Sequence, residues 1–145
     1  MSKTILITGA GSGFGKGAAI ALAARGHHVI ATTETSEQAS ELAKEAPQLQ
    51  VEKVDITNSA DIAKISAWDI DVLINNAGYG QTGPMSDVPN DRLRKVFEVN
   101  VFGTVAATQA ALPRMSAKGS GRVIIMSSIA GVVAAPGFGP YAMSK

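Results

Sequence analysis

The sequence predicts an α/β fold, a doubly wound parallel sheet with helices on both faces. Strand-like and helix-like segments alternate along the 145 residues, the order that parallel strands joined by crossover helices require. Residues 4–7, 72–74 and 123–126 are continuous apolar runs, as expected for strands that are buried on both faces. A glycine-dense turn and a helix-like run follow the first strand, which is typical of a Rossmann-type sheet. We therefore expect one domain over residues 1–145.

The remaining elements are predicted from local patterns. Ser36 is the expected N-cap of one helix, and Gly26 is the expected C-terminal stop of the helix before it. After the first strand, the prediction is a helix at 16–25, a strand at 28–32, a helix at 36–45, a strand at 50–54, a helix at 60–68, a strand at 72–74, one long helix at 90–115 and a strand at 123–126. Glycine-rich or polar clusters follow several strands, where ligands bind in such folds.

Composition excludes several classes of function. The net charge is +1 without a basic run, so neither nucleic acid nor an anionic membrane surface is an expected partner. The chain has no cysteine, which suits a reducing compartment, and it shows neither a signal peptide nor an apolar run of membrane-spanning length. No metal site is expected, because His27 and His28 begin a strand without other ligands nearby. These features predict a cytoplasmic protein.

The turn at residues 8–15 suits phosphate binding. It contains four glycines between a strand and a helix, and glycine lets backbone N–H groups approach a diphosphate closely. The unpaired N–H groups and the positive dipole end of the following helix favour an anion. Gly13, Gly15 and Ala18 fit a Gly-x-Gly-x-x-Ala spacing. The alternative interpretation is a tight turn that binds no ligand.

Tyr141 and Lys145 form a candidate acid–base pair. They are four residues apart, so they share one face of a helix. An ammonium close to a phenol favours the ionised phenol, which can then exchange a proton with a substrate oxygen. The hydroxyl of Ser128 could hold the same oxygen. The alternative interpretation is a chance helical pair.

Taken together, these motifs resemble the short-chain dehydrogenase/reductase family in its typical rather than extended form. The matching residues occur in the family's order, near its spacings, and over essentially the whole chain. They are Thr8-Gly9-x-x-x-Gly13-x-Gly15, Asp55, Asn75-Asn76-Ala77-Gly78, Asn100, Ser127-Ser128 and Tyr141-x-x-x-Lys145. The resemblance implies an NAD(P)-dependent oxidoreductase that transfers hydride between nicotinamide and a carbonyl or secondary alcohol.

The resemblance assigns four catalytic residues. It implies that Tyr141 is the general acid/base and that Lys145 assists the tyrosine and holds the nicotinamide ribose. Ser128 is then the substrate-orienting serine, with Ser127 as a weaker candidate. Asn100 resembles the asparagine that anchors a proton-relay water to the lysine. Its alternative role is a local irregularity of the long helix, because asparagine competes with helical backbone bonding.

The resemblance also assigns the cofactor site. Asp55 resembles the aspartate that contacts the adenine amino group, although a turn or cap before Ile56-Thr57-Asn58 is an alternative. Asn75 is in part structural, and the segment up to Gly78 passes the adenosine ribose. The complete set of expected cofactor-binding residues is Thr8, Gly9, Gly11, Ser12, Gly13, Phe14, Gly15, Thr33, Glu34, Asp55, Ile56, Asn76, Ala77, Gly78, Tyr141 and Lys145.

The choice between NAD and NADP depends on the end of the second strand. NAD-binding chains place a carboxylate there, whereas NADP-binding chains place an arginine. Glu34 lies nineteen residues after Gly15, close to the usual offset of about 20. The family register puts the acid one place earlier, at Thr33. A carboxylate repels a 2′-phosphate, so the sequence favours NAD.

Family members continue well beyond the catalytic lysine, whereas this sequence ends at Lys145. We therefore expect it to be part of a longer enzyme, with little turnover alone and with a fifth strand left at an open edge. The resemblance also implies a homo-oligomer that associates through the long fourth helix. Val132, Val133, Ala134 and Phe138 suggest an apolar substrate wall or, equally, core. The alternative function is a non-catalytic dinucleotide-binding module or an inactive truncated fragment.

Overall fold

A computed structural model, which describes residues 1–133 and 135–145, contains one parallel sheet of five strands. The strands are β1 (Thr4–Ile7), β2 (His28–Thr33), β3 (Gln50–Lys53), β4 (Val72–Asn75) and β5 (Arg122–Ile125). Their order is β3-β2-β1-β4-β5, and every neighbouring pair is parallel. The α/β prediction is thereby confirmed. The strand order reverses between β1 and β4, so a ligand crevice is expected beyond the carboxyl ends of these two strands.

Helices connect the strands. They are α1 (Gly13–Ala24), α2 (Ser36–Glu45), α3 (Ser59–Ile65), α4 (Asn90–Phe97), a π-helical segment (Glu98–Gly103), α5 (Thr104–Ala117), a 3₁₀ turn (Ile129–Gly131) and α6 (Gly139–Met143). Among the described residues, none of these helices combines the length and apolarity needed to cross a membrane.

Two apolar clusters pack on opposite faces of the sheet. Leu6 of β1 belongs to the cluster that includes α5, whereas Ile5 and Ile7 belong to the cluster that includes α1 and α2. This division follows from the alternation of side chains along a strand. β1 is therefore buried on both faces, as its continuous apolar run predicts.

The same prediction is wrong for β5. Its side chains are largely uncovered, and Ile125 is 61% exposed. Within the described sheet, β5 is an edge strand that pairs with β4. Among the described residues, too little of the chain packs over its two faces to bury its apolar side chains. The open edge expected for the fifth strand is present.

The cap of α2 is one residue earlier than predicted. Thr35, not Ser36, is the N-cap. The Thr35 hydroxyl accepts a hydrogen bond from the Gln38 backbone N–H at 3.3 Å, and the Gln38 side chain accepts one from the Thr35 N–H at 3.3 Å. This reciprocal capping box satisfies two helix-end donors, whereas Ser36 could satisfy one.

The predicted long helix at 90–115 is interrupted. α4 ends at Phe97, and a π-helical segment precedes α5. A π-helical turn accommodates one extra residue and is frequent at functional sites. Asn100 lies in this segment, so the helix irregularity proposed as its alternative role is present. Pro113 lies inside α5.

Asp61, in the first turn of α3, anchors the segment that follows β3. Its carboxylate accepts hydrogen bonds from Lys53 Nζ, from Lys64 Nζ at 2.9 Å and from the Asp55 N–H at 2.9 Å. The hydrogen bond from Lys53, followed by those from Lys64 and the Asp55 N–H, holds the pKa of Asp61 well below its usual range. A carboxyl whose pKa is lowered by folding stabilises the fold above its unfolded pKa, and this contribution is lost as the pH falls towards the folded pKa.

We predict that Asp61→Asn lowers the free energy of unfolding at pH 7 by about 1.5–3 kcal/mol, the worth of hydrogen bonds to a charged group. The difference from wild type should shrink as the pH drops below about 4, the unfolded pKa of aspartate. Urea unfolding at pH 7 and pH 3 measures both differences. A loss of equal size at both pH values would contradict this account of Asp61.

Candidate active site

The turn between β1 and α1 is built around glycine. Gly9 has φ +65° and Gly13 has φ +55°, a region that residues with a Cβ rarely adopt. A Cβ on Gly9 would lie 2.6 Å from the Cα of Ala77, whereas a Cβ on Gly13 would meet no described atom within 4 Å. Gly9 therefore permits close approach of the turn to the segment after β4, and Gly13 faces open space.

Thr8 and Asn76 join the ends of β1 and β4. The buried Thr8 hydroxyl accepts the N–H groups of Asn76 and Ala77, both at 3.1 Å. In return, the Asn76 side-chain amide donates to the carbonyls of Thr8 and Gly9, both at 3.0 Å. These bonds fix the two strand ends around the crevice. Thr8 and the Asn76 amide thus hold together the two strand ends that border the candidate site.

The N-terminus of α1 points a set of backbone donors at this crevice. Ser12 is extended (φ −157°) and precedes the helix. The first N–H groups of any α-helix have no partner within the helix, and the helix dipole adds partial positive charge. Phe14, in this first turn, is exposed. The sequence prediction of an anion-binding turn therefore has the required geometry.

A first cavity of about 330 Å³ opens beside this turn. Nine of the predicted cofactor-binding residues line it: Gly9, Gly11, Ser12, Glu34, Asp55, Ile56, Asn76, Ala77 and Gly78. Sequence reasoning missed five further lining residues: Gln38, Val54, Tyr79, Lys95 and Val99. Gln38 was detectable, because Thr35-x-x-Gln38 has the spacing of a capping box. Lys95 and Val99 have helical i, i+4 spacing, but that spacing does not reveal which cavity they reach.

Glu34 and Thr33 differ in their access to this cavity. Thr33 is fully buried, and its hydroxyl donates to the Thr35 carbonyl at 2.9 Å. Glu34 is exposed and lines the cavity together with Gln38. Glu34, unlike Thr33, therefore has both a carboxylate near the end of β2 and access to the first cavity.

Asp55 has both of the features that the sequence suggested. Its carboxylate accepts hydrogen bonds from the Thr57 N–H at 2.9 Å and from the Thr57 hydroxyl at 2.7 Å, which form the expected Asx turn. It also lines the first cavity beside Ile56. The turn role and a ligand role are therefore compatible.

A second cavity, of about 540 Å³, contains the candidate proton-transfer residues. Ser128, Tyr141 and Lys145 line it, together with Phe14 and Phe138. Asn76 and Gly78 line both cavities, so the two adjoin across the carboxyl ends of the strands. Val132 and Val133 are exposed, not core, and Ala134 lies outside the described residues.

Lys145 lies close to Tyr141 although it lies beyond α6. Its Nζ is 5.6 Å from the centroid of the Tyr141 ring and donates to the Met126 carbonyl at 3.1 Å. α6 ends at Met143, so the described helix includes Tyr141 but not Lys145. Ser128 precedes a 3₁₀ turn, and its hydroxyl accepts the Ala130 N–H at 3.2 Å.

Asn100 connects the π-helical segment to the loop after β4. Its side-chain Oδ1 accepts the Tyr79 N–H at 2.7 Å, and its Nδ2 donates to the Tyr79 carbonyl at 3.0 Å. A Cβ on Gly78 would lie 3.4 Å from Lys145 Nζ and 3.5 Å from Asn100 Oδ1. Asn100 and Lys145 therefore flank the same glycine. Asn75 has a structural role, because its amide donates to the Thr108 hydroxyl at 2.9 Å.

The parallel sheet and the glycine turn between β1 and α1 define a Rossmann-type fold. The family model described as short chain dehydrogenase matches residues 3–145, and the chain belongs to this family. An uncharacterized oxidoreductase of Bacillus subtilis, YusZ, is 38% identical, and the match covers 99% of this chain and 55% of the relative. The chain thus spans about half the length of this curated relative.

Solved structures give the same result. A short-chain dehydrogenase from Streptomyces avermitilis superposes with a TM-score of 0.90 at 36% identity, over 99% of this chain and 56% of that one. The closed form of a serine dehydrogenase complexed with NADP⁺ superposes with a TM-score of 0.91 at 31% identity, over 98% of this chain and 60% of that one.

Proposed function

We propose that this chain provides the cofactor-binding and proton-transfer part of an NAD(P)-dependent oxidoreductase that acts on a carbonyl or secondary alcohol. One observation carries the proposal: Ser128, Tyr141 and Lys145 line one cavity, which adjoins the cavity at the glycine turn. A protein that only binds a dinucleotide has no need of a phenol, an ammonium and a hydroxyl at that position. Membership of the dehydrogenase family supports the same conclusion.

The residues present suit a nicotinamide dinucleotide. The N–H groups at the start of α1 and the open space at Gly13 suit a diphosphate. Glu34 would accept hydrogen bonds from a ribose, and Asp55 and Ile56 would meet the adenine. The nicotinamide supplies or accepts hydride when it is bound. Asn76 and Gly78 lie where the two halves of the dinucleotide would join.

The chain's own residues would then manage the proton. In carbonyl reduction, the Tyr141 phenol donates its proton to the carbonyl oxygen, and the Ser128 hydroxyl donates a hydrogen bond to the same oxygen. The Lys145 ammonium, 5.6 Å from the ring centroid, stabilises the resulting phenolate. In alcohol oxidation, the same groups act in reverse.

Turnover by the chain itself tests this proposal. We expect the chain to oxidise NADH only slowly, in keeping with the little turnover expected of residues 1–145 alone, in a reaction followed at 340 nm that requires cyclohexanone or acetophenone as the probe carbonyl. The reverse reaction uses NAD⁺ and cyclohexanol. Binding of NADH without turnover of any probe would instead favour the non-catalytic binding module, and the absence of both would contradict the proposal.

We further propose that the cofactor is NAD rather than NADP, because Glu34 would repel a 2′-phosphate. The serine dehydrogenase cited above binds NADP⁺, so family membership alone does not decide the choice. We predict that the wild type binds NADH at least about tenfold more tightly than NADPH, and that Glu34→Arg reverses this order, since about 1.4 kcal/mol suffices for each factor of ten.

Fluorescence titration of both reduced cofactors measures this preference. Glu41→Arg is the matched control, because Glu41 is exposed on α2 and does not line the cavity. It makes the same change in net charge and should leave the preference unchanged. A wild-type protein that prefers NADPH would show that Glu34 does not select the cofactor.

The homo-oligomer implied by the family resemblance also stays a proposal. Phe102, Val105 and Leu112 are exposed apolar residues on the π-helical segment and α5. A contact between subunits through these helices would cover them. The proposal concerns the full-length protein: light scattering on a full-length protein that contains this chain measures whether it associates, and a monomer at all concentrations would contradict the proposal.

A further inference from the structure

Ser144 makes a bridge that none of the roles described above includes. Its hydroxyl oxygen accepts a hydrogen bond from Asn100 Nδ2 at 2.7 Å. The same hydroxyl donates to the Tyr141 carbonyl at 2.7 Å. Ser144 directly precedes Lys145 in the chain. One small side chain therefore joins the π-helical segment to the turn that contains Tyr141.

The partner on the other side of this bridge is firmly held. Asn100 is 7% exposed, and its amide oxygen is taken by the Tyr79 N–H. One Nδ2 hydrogen bond goes to the Tyr79 carbonyl and the other to Ser144. These contacts set the orientation of the amide. The Ser144 hydroxyl is thus hydrogen-bonded to the Asn100 side chain, whose orientation is fixed.

The helix that contains Tyr141 needs such an anchor. α6 has five residues, and helices this short are marginal without tertiary contacts. Two other polar bonds hold this segment, and both use Lys145: its Nζ donates to the Met126 carbonyl, and its carbonyl accepts from the Ser127 hydroxyl at 3.1 Å. These bonds lie on the β5 side. The Ser144 bridge instead attaches the segment to Asn100.

We propose that Ser144 is a positioning residue for Tyr141 and Lys145. Its hydroxyl sets the place of the tyrosine's turn relative to the loop after β4, where Gly78 and Tyr79 lie. The proposal rests on the proposed oxidoreductase function for its effect on rate, but the positioning itself is a property of the chain without cofactor. Removal of the hydroxyl leaves one Asn100 donor without its partner and leaves the Tyr141 carbonyl with the Ser144 backbone N–H at 3.0 Å. A shift of about 1 Å in a reacting group can cost about 10²-fold in rate.

Ring carbons of the two tyrosines report the positioning directly. In the chain labelled with ¹³C-tyrosine, we expect Ser144→Ala to shift and broaden the Tyr141 ring signals. The Tyr79 ring, which lies 5.0 Å from Lys95 Nζ, should keep its signals. Ser144→Thr retains the hydroxyl and should restore the Tyr141 signals. The exposed Ser120 gives the matched control, and Ser120→Ala should change neither ring.

Kinetics provide the second measurement. With NADH and cyclohexanone, Ser144→Ala should lower kcat by about tenfold or more, and the KM for NADH should change by less than about twofold. Ser144→Thr should recover most of kcat. A Ser144→Ala protein with unchanged Tyr141 signals overturns the proposal, and so does one with unchanged kcat in an active wild type. If the wild type turns over no probe, the proposed function fails, and the ring signals alone decide the role of Ser144.

Discussion

Tyr141→Phe is expected to lower kcat by about 10²–10⁴-fold, the usual contribution of a general acid–base group. Phenylalanine keeps the ring but has no proton to donate to the substrate oxygen. The affinity for NADH should change by less than about tenfold, the worth of one hydrogen bond. Initial rates with NADH and cyclohexanone, together with a fluorescence titration of NADH, separate the two effects.

Ser120→Ala is the control, because it also removes one hydroxyl, but Ser120 is exposed and lines neither of the two cavities. We expect its kcat to stay close to that of the wild type. If both variants lose the same fraction of activity, or if Tyr141→Phe retains full activity, Tyr141 is not the proton donor.

Gly9→Ala is expected to disrupt both the fold and cofactor binding. The added Cβ would lie 2.6 Å from the Ala77 Cα, and a backbone atom cannot move aside without shifting the end of β4. The left-handed φ of +65° adds backbone strain of about 1–3 kcal/mol. We predict that the free energy of unfolding falls by at least about that amount and that NADH affinity falls more than about tenfold, equivalent to about 1.4 kcal/mol.

Gly17→Ala adds the same methyl group where the chain can accept it. Gly17 lies inside α1, and a Cβ there would meet no described atom within 4 Å. Alanine should therefore raise the free energy of unfolding by about 0.5–1 kcal/mol, the difference in helix propensity. Urea unfolding measures whether Gly9→Ala lowers and Gly17→Ala raises the free energy of unfolding. Equal effects on stability would show that the turn at Gly9 has no special constraint.

The order of apolar runs and glycine-rich turns along the sequence predicted those elements of the fold that depend on residues close together in the chain. The apolar run of β1 and the glycine turn after it lie where the sequence placed them. A helix irregularity at Asn100 was one of the two roles that the sequence suggested, but the hydrogen bonds of Asn100 to Tyr79, which lies on a distant loop, were not predictable from local pattern. The exposure of β5 depends on how little of the described chain packs over its two faces, which a run of apolar residues does not report.

The candidate site shows the same division. The spacing of Tyr141 and Lys145 identified the pair, and the structure places Tyr141 in α6 and Lys145 just after it. The two residues meet because Lys145 also bonds to the Met126 carbonyl, a contact after β5. The choice of Glu34 over Thr33 likewise required the burial of the threonine side chain. The chemical groups of the site could be predicted from residue types. Their exposure and the hydrogen bonds that hold them depend on how the chain packs.

The central claim is that a dinucleotide lies across the carboxyl ends of the strands. Titration of the ¹⁵N-labelled chain with NAD⁺ tests its location most directly. The account predicts that backbone amide signals of Gly9, Gly13, Asp55, Gly78 and Ser128 shift with saturation, while those at the amino ends of the strands stay in place. Absence of saturable shifts, or shifts confined to the opposite end around Lys3, Asp71 and Arg122, would contradict it.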